Sequence, residues 1–467
     1  MNQTQSRRRF LRTTGALAFS SLLAHPVLSD ILKVKGKLKI ALVGAGIRGI
    51  TFWGKKLRET YPELIEFVGL SDINEGRLEY GRNYIGTDCP VYLDFDEMMA
   101  KSNPDLLIVT TVDSAHHEFI IKGLNQNVMV LSEKPMTTDE EKCQQILDAE
   151  RKSNKELIIG FNYRYNPHYT EIKSLLSNER VGKITSVDFH WYLNVYHGAS
   201  YFRRWHAYRQ YGGSLLVHKA THHFDLLNWW LNSDPVEVKA YGALEHYGKN
   251  NTFRGGNCRS CQVKDQCKFY WDMTRSDFLM DLYAKNESYD GYIRDSCVWR
   301  KDIDIFDKMS VQVKYANDVI VNYSLTTYSP YEGMRIAFNG FDGRIDAWDG
   351  IPWRKEEKMN QQKLHELEMS QSEEMKDFEE IMVMDNFKGY EQIRVEKERS
   401  GHGGGDKRLQ DRIFIDPNSP DPLQHAAGSR DGAMSILIGI AARKSIDENR
   451  TVRIEELIDL KPQAIRP

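Results

Sequence analysis

The 467-residue sequence predicts an α/β domain with a doubly wound parallel sheet, followed by an α+β domain. Two observations predict this division. The apolar run Lys39–Val43 leads directly into a glycine-rich segment, and strand-like and helix-like segments then alternate as far as residue 160. Beyond that point, segments such as Ile184–Leu193 mix β-branched and aromatic residues with a period of two, as strands with one solvated face do.

The composition is that of an ordinary globular protein. Hydrophobic residues make up 41% of the chain and charged residues 28%, and the net charge of -3 gives no reason to expect a nucleic acid or an anionic membrane as a partner. The chain holds 23 tyrosines and 9 tryptophans, many of them between Phe161 and Tyr292. Exposed aromatic rings beside polar groups suit the C–H faces of sugars, although a tyrosine-rich sheet would have the same composition.

The first residues predict export. The segment Ser6–Arg12 reads SRRRFLR, which matches the twin-arginine pattern, and the apolar run Thr13–Ala24 that follows is too short to span a bilayer. We therefore expect residues 1–30 to be a signal peptide and the protein to reach the periplasm already folded. No later segment is apolar enough to span a membrane. The alternative is a disordered basic tail, which has no reason to carry the ordered Phe-Leu pair.

A glycine-rich turn follows the first strand. Lys39–Val43 suits a buried parallel strand, and Ile50–Thr60, which follows the turn, suits a helix. In this context the G-x-G-x-x-G spacing allows a tight turn and places a pyrophosphate over the helix N-terminus. The predicted dinucleotide-binding residues of this turn are Gly44, Gly46, Ile47, Arg48 and Gly49.

The nucleotide preference follows from the second strand. Glu66–Leu70 leads to Asp72, which lies 23 residues after Gly49. A carboxylate at this position binds the hydroxyls of the adenosine ribose and repels a 2′-phosphate. We therefore expect NAD rather than NADP as the cofactor, although Arg77 lies close enough in sequence to weaken that preference.

The alternation of strands and helices completes the predicted nucleotide-binding domain, residues 37–160. Ligands of such sheets bind at the carboxyl ends of the strands, so polar residues that follow the strands are candidate cofactor contacts. These residues are Thr110, Thr111, His116, Glu133, Lys134 and Asn162.

The glycine turn is one of several motifs. The others are the triplet Glu133-Lys134-Pro135, the segments Gly160–Pro167, Gly340–Gly343 and Gly401–Asp406, and the pair Gly212-Gly213 with His222 and Asp225. Together they resemble the Gfo/Idh/MocA oxidoreductases, the family of glucose–fructose oxidoreductase and inositol dehydrogenase, over nearly all of the chain that follows the signal. The resemblance implies a Rossmann domain, an open and mainly antiparallel sheet in residues 161–467, and an active site between them. It also implies hydride transfer between a nicotinamide and a sugar or polyol carbon.

Further segments support the second domain independently. Glu237–Leu244, Met309–Tyr315 and Val319–Thr326 have the composition and period of strands. Glu356–Lys388 is charged and helix-like, and we interpret it as an insertion or a connecting arm. Ala433–Ile446 predicts a C-terminal helix that packs back onto the body of the protein.

Oxidation of a secondary alcohol needs a base that takes the hydroxyl proton. The resemblance gives that role to Lys134 and a proton-transfer role to His222. The spacing of His218, His222 and Asp225 places all three on one face of a helix, which makes them candidate catalytic residues. His218 stands where the family usually has an aspartate, so the acid–base pairing stays open.

The same helix leaves other interpretations open. His218 and His222 also have the spacing of metal ligands, but the family's fold normally does this chemistry without a metal. Asp225 is alternatively a structural residue that orients His222 or caps a backbone group. Lys219 and His223 are expected to point elsewhere around the helix.

A loop rich in donors and aromatic rings precedes that helix, and the Gly401–Asp406 segment adds one more histidine. Some of these side chains must simply pack against the protein. The predicted substrate contacts are Arg164, Tyr196, His197, Arg204, Trp205 and His402.

Four of the six cysteines are clustered, namely Cys258, Cys261, Cys267 and Cys297. Their spacing resembles a structural zinc site. The rival interpretation is two disulfides formed after export. Folding before export takes place in a reducing compartment, which favours a metal or free thiols.

An exported dehydrogenase cannot easily replace spent cofactor, because free NAD is scarce outside the cytoplasm. We expect either net oxidoreduction of a sugar, glycoside or polyol, or redox-neutral cleavage of a glycoside by a bound NAD that is reduced and reoxidised within one turnover. A third hypothesis is a non-catalytic sugar-binding protein, which the intact Glu133-Lys134-Pro135 and His222 argue against. The open sheet favours a homo-oligomer.

Overall fold

The computed structural model of the protein describes residues 36–350, 378–398 and 401–466. The twin-arginine segment and residues 356–377 of the expected charged arm lie outside the described residues. Within the described ranges, no helix combines the length and the apolar character needed to cross a membrane.

The first domain contains a parallel sheet of six strands. These are β1 (Leu38–Val43), β2 (Ile65–Ser71), β3 (Val91–Tyr92), β4 (Leu106–Val109), β5 (Met129–Ser132) and β6 (Leu157–Ile159). Their order is β3-β2-β1-β4-β5-β6, and every neighbouring pair is parallel. The predicted doubly wound sheet is therefore confirmed. The strand order reverses between β1 and β4, and the crevice at this reversal is where such sheets bind ligands.

Helices cover both faces of this sheet. A π-helical segment, Gly49–Lys56, continues into α1 (Leu57–Thr60), and the other helices are α2 (Glu75–Ile85), α3 (Phe95–Ser102), α4 (His116–Asn125) and α5 (Glu140–Lys152). The residues that precede α2, α3 and α5 cap these helices. They are Asn74, Asp94 and Asp139, and each side chain accepts a hydrogen bond from the backbone N–H three residues further on. Such caps satisfy donors that have no partner inside the helix.

The second domain contains a sheet of nine strands. These are β7 (Ile184–Asn194), β8 (Pro235–Ala243), β9 (Lys308–Tyr315), β10 (Ile320–Ser329), β11 (Gly333–Gly340), β12 (Gly343–Asp349), β13 (Phe378–Asp385), β14 (Gly389–Glu396) and β15 (Val452–Arg453). Their order is β14-β13-β12-β11-β7-β10-β9-β8-β15, and among the described strands of this sheet only β7 and β10 pair in parallel. The expected open, mainly antiparallel sheet is confirmed.

One segment of this sheet differs from its prediction. The expected helix-like arm, Glu356–Lys388, contributes the strand β13 in its described part. Ile381 and Val383 are buried on one face of β13, which is the alternation of a half-buried strand. The abundant charges of the whole arm hid this short alternating run.

The helices of the second domain connect the sheet to the first domain. They are α6 (Pro167–Ser177), α7 (Val195–Arg203), α8 (Arg209–Gly212), α9 (Leu215–His218), α10 (Ala220–Leu231), α11 (Asp277–Leu282), α12 (Glu287–Asp290), α13 (Gly405–Phe414) and α14 (Ser429–Glu448). The C-terminal helix α14 contacts both domains, because a Cβ on Gly439 would lie 2.2 Å from the Leu216 carbonyl oxygen and one on Gly432 would lie 3.0 Å from the Met136 sulfur.

A buried ion network fastens α10 and α14 to the segment that follows the first domain. The Arg164 side chain is 1% exposed and donates to both Asp225 carboxylate oxygens, at 2.9 and 2.6 Å, and to Asp431 at 2.6 Å. Arg164 is therefore a structural residue and not the substrate contact that the sequence suggested. Asp225 holds Arg164 and does not orient His222, so its predicted catalytic role is replaced by a structural one.

Removing one partner of this network should destabilise the fold strongly. We expect Asp225→Ala to lower the free energy of unfolding by about 3–5 kcal/mol, because it leaves a buried guanidinium short of a counter-charge. Asp148→Ala, in the exposed pair with Arg151, is the matched control and should leave stability nearly unchanged. Chemical denaturation measures both, and an Asp225→Ala loss as small as the control's would show that Asp431 alone holds Arg164.

Candidate active site

The glycine turn lies directly against the end of β4. Gly44 has a φ of +99°, and a Cβ there would lie 2.6 Å from the backbone of Thr110. A Cβ on Gly49 would lie 2.2 Å from the Gly44 carbonyl oxygen, so neither position accepts a larger residue. The Thr110 hydroxyl donates to the Gly44 carbonyl at 2.7 Å. Thr110, predicted as a cofactor contact, thus uses its hydroxyl to hold the turn.

Asp72 stands beside this turn, as the sequence predicted. Its carboxylate accepts the backbone N–H of Ala45 at 2.7 Å and that of Asn74 at 2.8 Å. Arg77 lies 3.2 Å from Asp72 and 2.6 Å from Asp290, so two carboxylates neutralise its charge. Because Arg77 is committed in this way, it offers little to a 2′-phosphate. The glycine cradle and this carboxylate together fit NAD.

A buried polar network lies beneath the turn. Arg48 donates to Glu133 at 2.6 Å and to Asp406 at 3.2 Å, Trp53 also donates to Glu133, and Asn162 donates to Asp406 at 2.6 Å. Burial alone would raise the pKa of Glu133, but the neighbouring Arg48 guanidinium lowers it overall. Three predicted cofactor contacts therefore belong to one network: Arg48 binds Glu133 directly and is linked to Asn162 through Asp406, and the network fixes the edge of the site.

His116 differs from its prediction. Its ring is 1% exposed and lies between the carbonyl oxygens of Pro135, at 2.8 Å, and Thr111, at 3.1 Å. Burial lowers the pKa of His116 and favours the neutral ring, which donates its one N–H to one of these two oxygens. The His116 ring thus lies between the backbone segments that follow β4 and β5, while the Thr111 hydroxyl donates to the next carbonyl, that of Val112.

Lys134 follows β5 and projects toward the second domain. Its amine donates to the His218 carbonyl oxygen at 3.0 Å. Burial lowers the pKa of Lys134 to about 8, against the opposing effect of the Asp113 and Glu133 carboxylates. An amine with such a pKa is deprotonated in a useful fraction of molecules near neutral pH, which a general base requires.

A second acid–base pair lies beside Lys134. His218 Nδ1 is 2.5 Å from Asp113 Oδ2, and Asp113 follows the end of β4. Burial raises the pKa of Asp113 and lowers the pKa of His218. Both shifts favour the neutral forms, so the pair holds one proton that either residue can carry. The ring centroids of His206 and His218 are 4.2 Å apart, and Trp205 stacks on His206 with their ring centroids 3.6 Å apart.

Asp113 was not predicted, although a signal was present. It stands just beyond the end of β4, at the sheet edge where ligands bind. The sequence predicted that His218, His222 and Asp225 lie on one face of a single helix. That prediction was wrong about the helix, because His218 ends α9, whereas His222 and Asp225 lie in α10, which begins at Ala220.

His222 completes the cluster from α10. Its ring stacks on Tyr163 with the centroids 4.0 Å apart, and Lys219 donates to the Tyr163 hydroxyl at 3.0 Å. Burial, followed by the charge of Lys134, lowers the pKa of His222 well below its ordinary value, so the ring is neutral. The His222 Nδ1 has no hydrogen-bond partner among the described residues. His402 lies 6.4 Å from His222, ring to ring.

Lys219 and His223, which lie close to His222 in sequence, were both predicted to point away from the site, and the structure agrees only for His223. Lys219 was expected to point elsewhere, but through Tyr163 it reaches the site. His223 does point away, since its ring stacks on Trp191 and lies 2.7 Å from the Tyr323 hydroxyl.

The remaining predicted substrate residues occupy different surroundings. His197 is held between Glu332 at 3.0 Å and the Tyr201 hydroxyl at 3.1 Å, and Tyr196 is 42% exposed. Arg204 donates to the Ser200 carbonyl. Burial, followed by the nearby charge of Arg294, lowers the pKa of Arg204. Trp205 and Arg204 therefore border the His218 side of the site.

The cysteine cluster does not form a metal site. All six cysteines are free thiols, and the four clustered ones line one small cavity with Arg203, which donates to Cys258. Among the described residues, no group of three or more histidine, cysteine or acidic side chains could hold a metal ion. The predicted structural zinc is therefore not supported, and neither is a metal at His218 and His222.

Two family models match the chain. The oxidoreductase family's NAD-binding Rossmann fold matches residues 38–161, and the oxidoreductase family's C-terminal alpha/beta domain matches residues 173–454. YteT of Bacillus subtilis (strain 168) is 34% identical over 447 residues, which are 90% of this chain and 99% of that protein. The chain belongs to the Gfo/Idh/MocA oxidoreductase family. The predicted family is confirmed, and with it a nicotinamide cofactor.

Other similar proteins are more distant. Inositol 2-dehydrogenase of Salmonella typhimurium (strain LT2) is 27% identical over 206 residues, 44% of this chain and 57% of that protein. Among solved structures, a levoglucosan dehydrogenase in complex with NADH and levoglucosan has a TM-score of 0.60 at 15% identity, covering 90% of this chain and 99% of that chain. Myo-inositol 2-dehydrogenase of Lactobacillus plantarum has a TM-score of 0.57 at 17% identity, covering 89% and 99%. These structures share the fold.

The surroundings of Asp72 predict the nucleotide preference. We expect Asp72→Ser to weaken NAD binding and strengthen NADP binding, each roughly tenfold, because the repelling carboxylate is lost and Arg77 is partly released. Asp88→Ser, at an exposed position of the same domain, is the control. Titration calorimetry with both dinucleotides measures the ratio, and an unchanged preference in Asp72→Ser would place the discrimination elsewhere.

Proposed function

We propose that the protein is an NAD-dependent oxidoreductase that transfers a hydride to or from a secondary alcohol carbon of a sugar, a glycoside or a polyol. The observation that carries this proposal is Lys134. It is a lysine with a pKa lowered to about 8, and it lies at the carboxyl edge of the Rossmann sheet among neutral histidines. NAD is preferred to NADP because of Asp72 and the committed Arg77.

The residues of the chain divide the chemistry among them. NAD, when bound, supplies the hydride acceptor or donor. Lys134 takes the hydroxyl proton during oxidation and returns it during reduction, and its bond to the His218 carbonyl fixes its direction. Neutral His222, stacked on Tyr163, offers a second proton position. In its protonated form, Lys134 also stabilises a developing alkoxide.

The proposed substrate is a ring-shaped polyhydroxy molecule. The aromatic side chains Tyr163, Trp191, Tyr201 and Trp205 lie around the acid–base groups, and such rings stack on the C–H faces of sugars. The relatives that are named as dehydrogenases of inositol and of levoglucosan act on molecules with secondary hydroxyls on a ring, which agrees with this substrate class.

A second candidate function is redox-neutral cleavage of a glycoside. The Asp113–His218 pair favours it, because elimination of an aglycone needs a base for the neighbouring C–H proton besides the base for the hydroxyl. In this reaction the alcohol is first oxidised to a carbonyl by transfer of a hydride to bound NAD, and the aglycone is then eliminated. Water adds to the carbon that the aglycone left, and return of the hydride reduces the carbonyl to the alcohol, so no electrons are gained or lost overall. Simple dehydrogenation leaves the Asp113–His218 pair without a task.

The cellular setting is a further part of the proposal. We propose export in the folded state, on the basis of the twin-arginine pattern in Ser6–Arg12, and assembly into a homo-oligomer through the open sheet. A small carbohydrate is the proposed substrate, and the charge of -3 speaks against a nucleic acid partner.

The role of Lys134 is tested by substitution and by pH. We expect Lys134→Met to lower kcat at least about 100-fold with myo-inositol, levoglucosan or aryl glycosides as substrates, because the general base is lost. In the unmodified protein, alcohol oxidation should rise as the pH increases through about 8, since the base works only after losing its proton. Absorbance at 340 nm measures both effects, and Lys101→Met, on an exposed helix face, is the control. Full activity in Lys134→Met would refute the assignment.

Aryl glycosides separate the two candidate functions. If cleavage is the reaction, the purified protein releases aglycone without added NAD and without net NADH, and Asp113→Asn lowers this release roughly 100-fold while leaving NADH binding intact. If net dehydrogenation is the reaction, NADH accumulates only with added NAD, and Asp113→Asn has a much smaller effect. Aglycone release and absorbance at 340 nm, followed in one reaction, decide between them.

A further inference from the structure

A segment of the second domain lies across the nucleotide side of the first domain. This segment, Asp277–Arg294, is called the arm from this point on, and it is distinct from the charged segment Glu356–Lys388. Its Asn286 carbonyl accepts the Asn74 side chain at 2.9 Å, and its Asp290 pairs with Arg77 at 2.6 Å. The approach is so close that a Cβ on Gly76 would lie 2.0 Å from the Asn286 side-chain oxygen. The arm is thus docked at the start of α2, next to the carboxylate of Asp72.

Tyr283 of the arm reaches the glycine turn. Its hydroxyl oxygen accepts the Ile47 backbone N–H at 2.9 Å, and it lies 3.8 Å from where a Cβ on Gly46 would stand. The helical segment that follows the glycine turn begins at Gly49. In Rossmann domains, the backbone N–H groups at the start of this helix donate hydrogen bonds to the pyrophosphate. The proton of the Tyr283 hydroxyl has no acceptor among the described residues, so it is available to a phosphate oxygen.

Arg294, at the end of the arm, brings a positive charge to the same place. Its guanidinium lies 4.4 Å from the centre of the Tyr283 ring. Its Nε is buried and has no hydrogen-bond partner among the described residues, which also provide no ion pair for it. Arg294 and Arg204 repel each other, since the pKa of Arg204 is lowered by burial and then by the charge of Arg294. A guanidinium whose Nε is buried without a partner is completed by an anion.

We propose that Tyr283 and Arg294 form a second wall of the pyrophosphate site, and that the arm thereby keeps the dinucleotide bound through successive turnovers. The inference rests on the proposed NAD function. The pyrophosphate lies between the glycine turn of the first domain and two donors of the second. The dinucleotide leaves only when the arm's contacts with Asn74 and Arg77 break, so exchange with free NAD is slow.

The test compares dissociation rates. NADH bound to the full-length protein is chased with excess NAD, and the loss of NADH fluorescence is followed for the unmodified protein, Tyr283→Phe and Arg294→Met. Each variant loses a hydrogen bond to a charged group, so we expect dissociation roughly tenfold faster or more. Tyr289→Phe is the matched control, because its ring is on the same arm but 52% exposed, and it should dissociate like the unmodified protein.

The outcomes separate this inference from the function on which it rests. NADH binding with unchanged dissociation in both Tyr283→Phe and Arg294→Met would overturn the second wall and leave the oxidoreductase proposal standing. Slower dissociation in Tyr283→Phe would also overturn it, since the tyrosine would then obstruct the site. Failure of the unmodified protein to bind either dinucleotide would refute the NAD function itself. Because Arg294→Met removes a side chain outside the helices, it keeps the test open if Tyr283→Phe folds poorly.

Discussion

The ion pair of Arg48 and Glu133 is the interaction on which the site depends. Arg48 belongs to the glycine turn and Glu133 to the end of β5, so their contact joins the two sides of the crevice where the strand order reverses. Asp406 adds the first turn of α13 to the same guanidinium. Lys134 directly follows Glu133, so this buried pair also sets the position of the proposed base. The carboxylates of Glu133 and Asp406 can stay charged although they are buried, because each is paired with Arg48.

Burial creates the acid–base chemistry of the site. Lys134, His218 and His222 all have lowered pKa values, and desolvation is the largest cause in each case. Positive charges close to one another reinforce this effect, because every added proton is repelled by the others. The two histidines therefore stay uncharged near neutral pH, and Lys134 loses its proton in a fraction of the molecules, which suits groups that pass protons to and from a substrate. Asp113 follows the same rule in the opposite direction, since burial raises its pKa.

The sequence was sufficient for the features that depend on local geometry. The glycine turn is recognisable because the close contacts of Gly44 and Gly49 exclude every other residue, and the strands follow from period and length. Features that depend on distant contacts were not recognisable. Arg164 and Asp225 are 61 residues apart in sequence, and nothing local shows that they bind each other and not the substrate. The break between α9 and α10 at Lys219 also leaves no mark, because residues 214–231 contain neither glycine nor proline.

The second domain contributes to both halves of the cleft, and this has a physical consequence. Through α9 and α10 it supplies His218 and His222 at the reacting end, and through the arm it supplies Tyr283 at the nucleotide end. Because one domain borders both the substrate end and the nucleotide end of the cleft, ordering at one end lowers the entropic cost of ordering the other. A dinucleotide held in this way is better regarded as a part of the enzyme than as a substrate that comes and goes. Such an arrangement suits the proposed export to a compartment where free NAD is scarce, and it favours the redox-neutral reaction, because net dehydrogenation with release of NADH requires exchange of the dinucleotide.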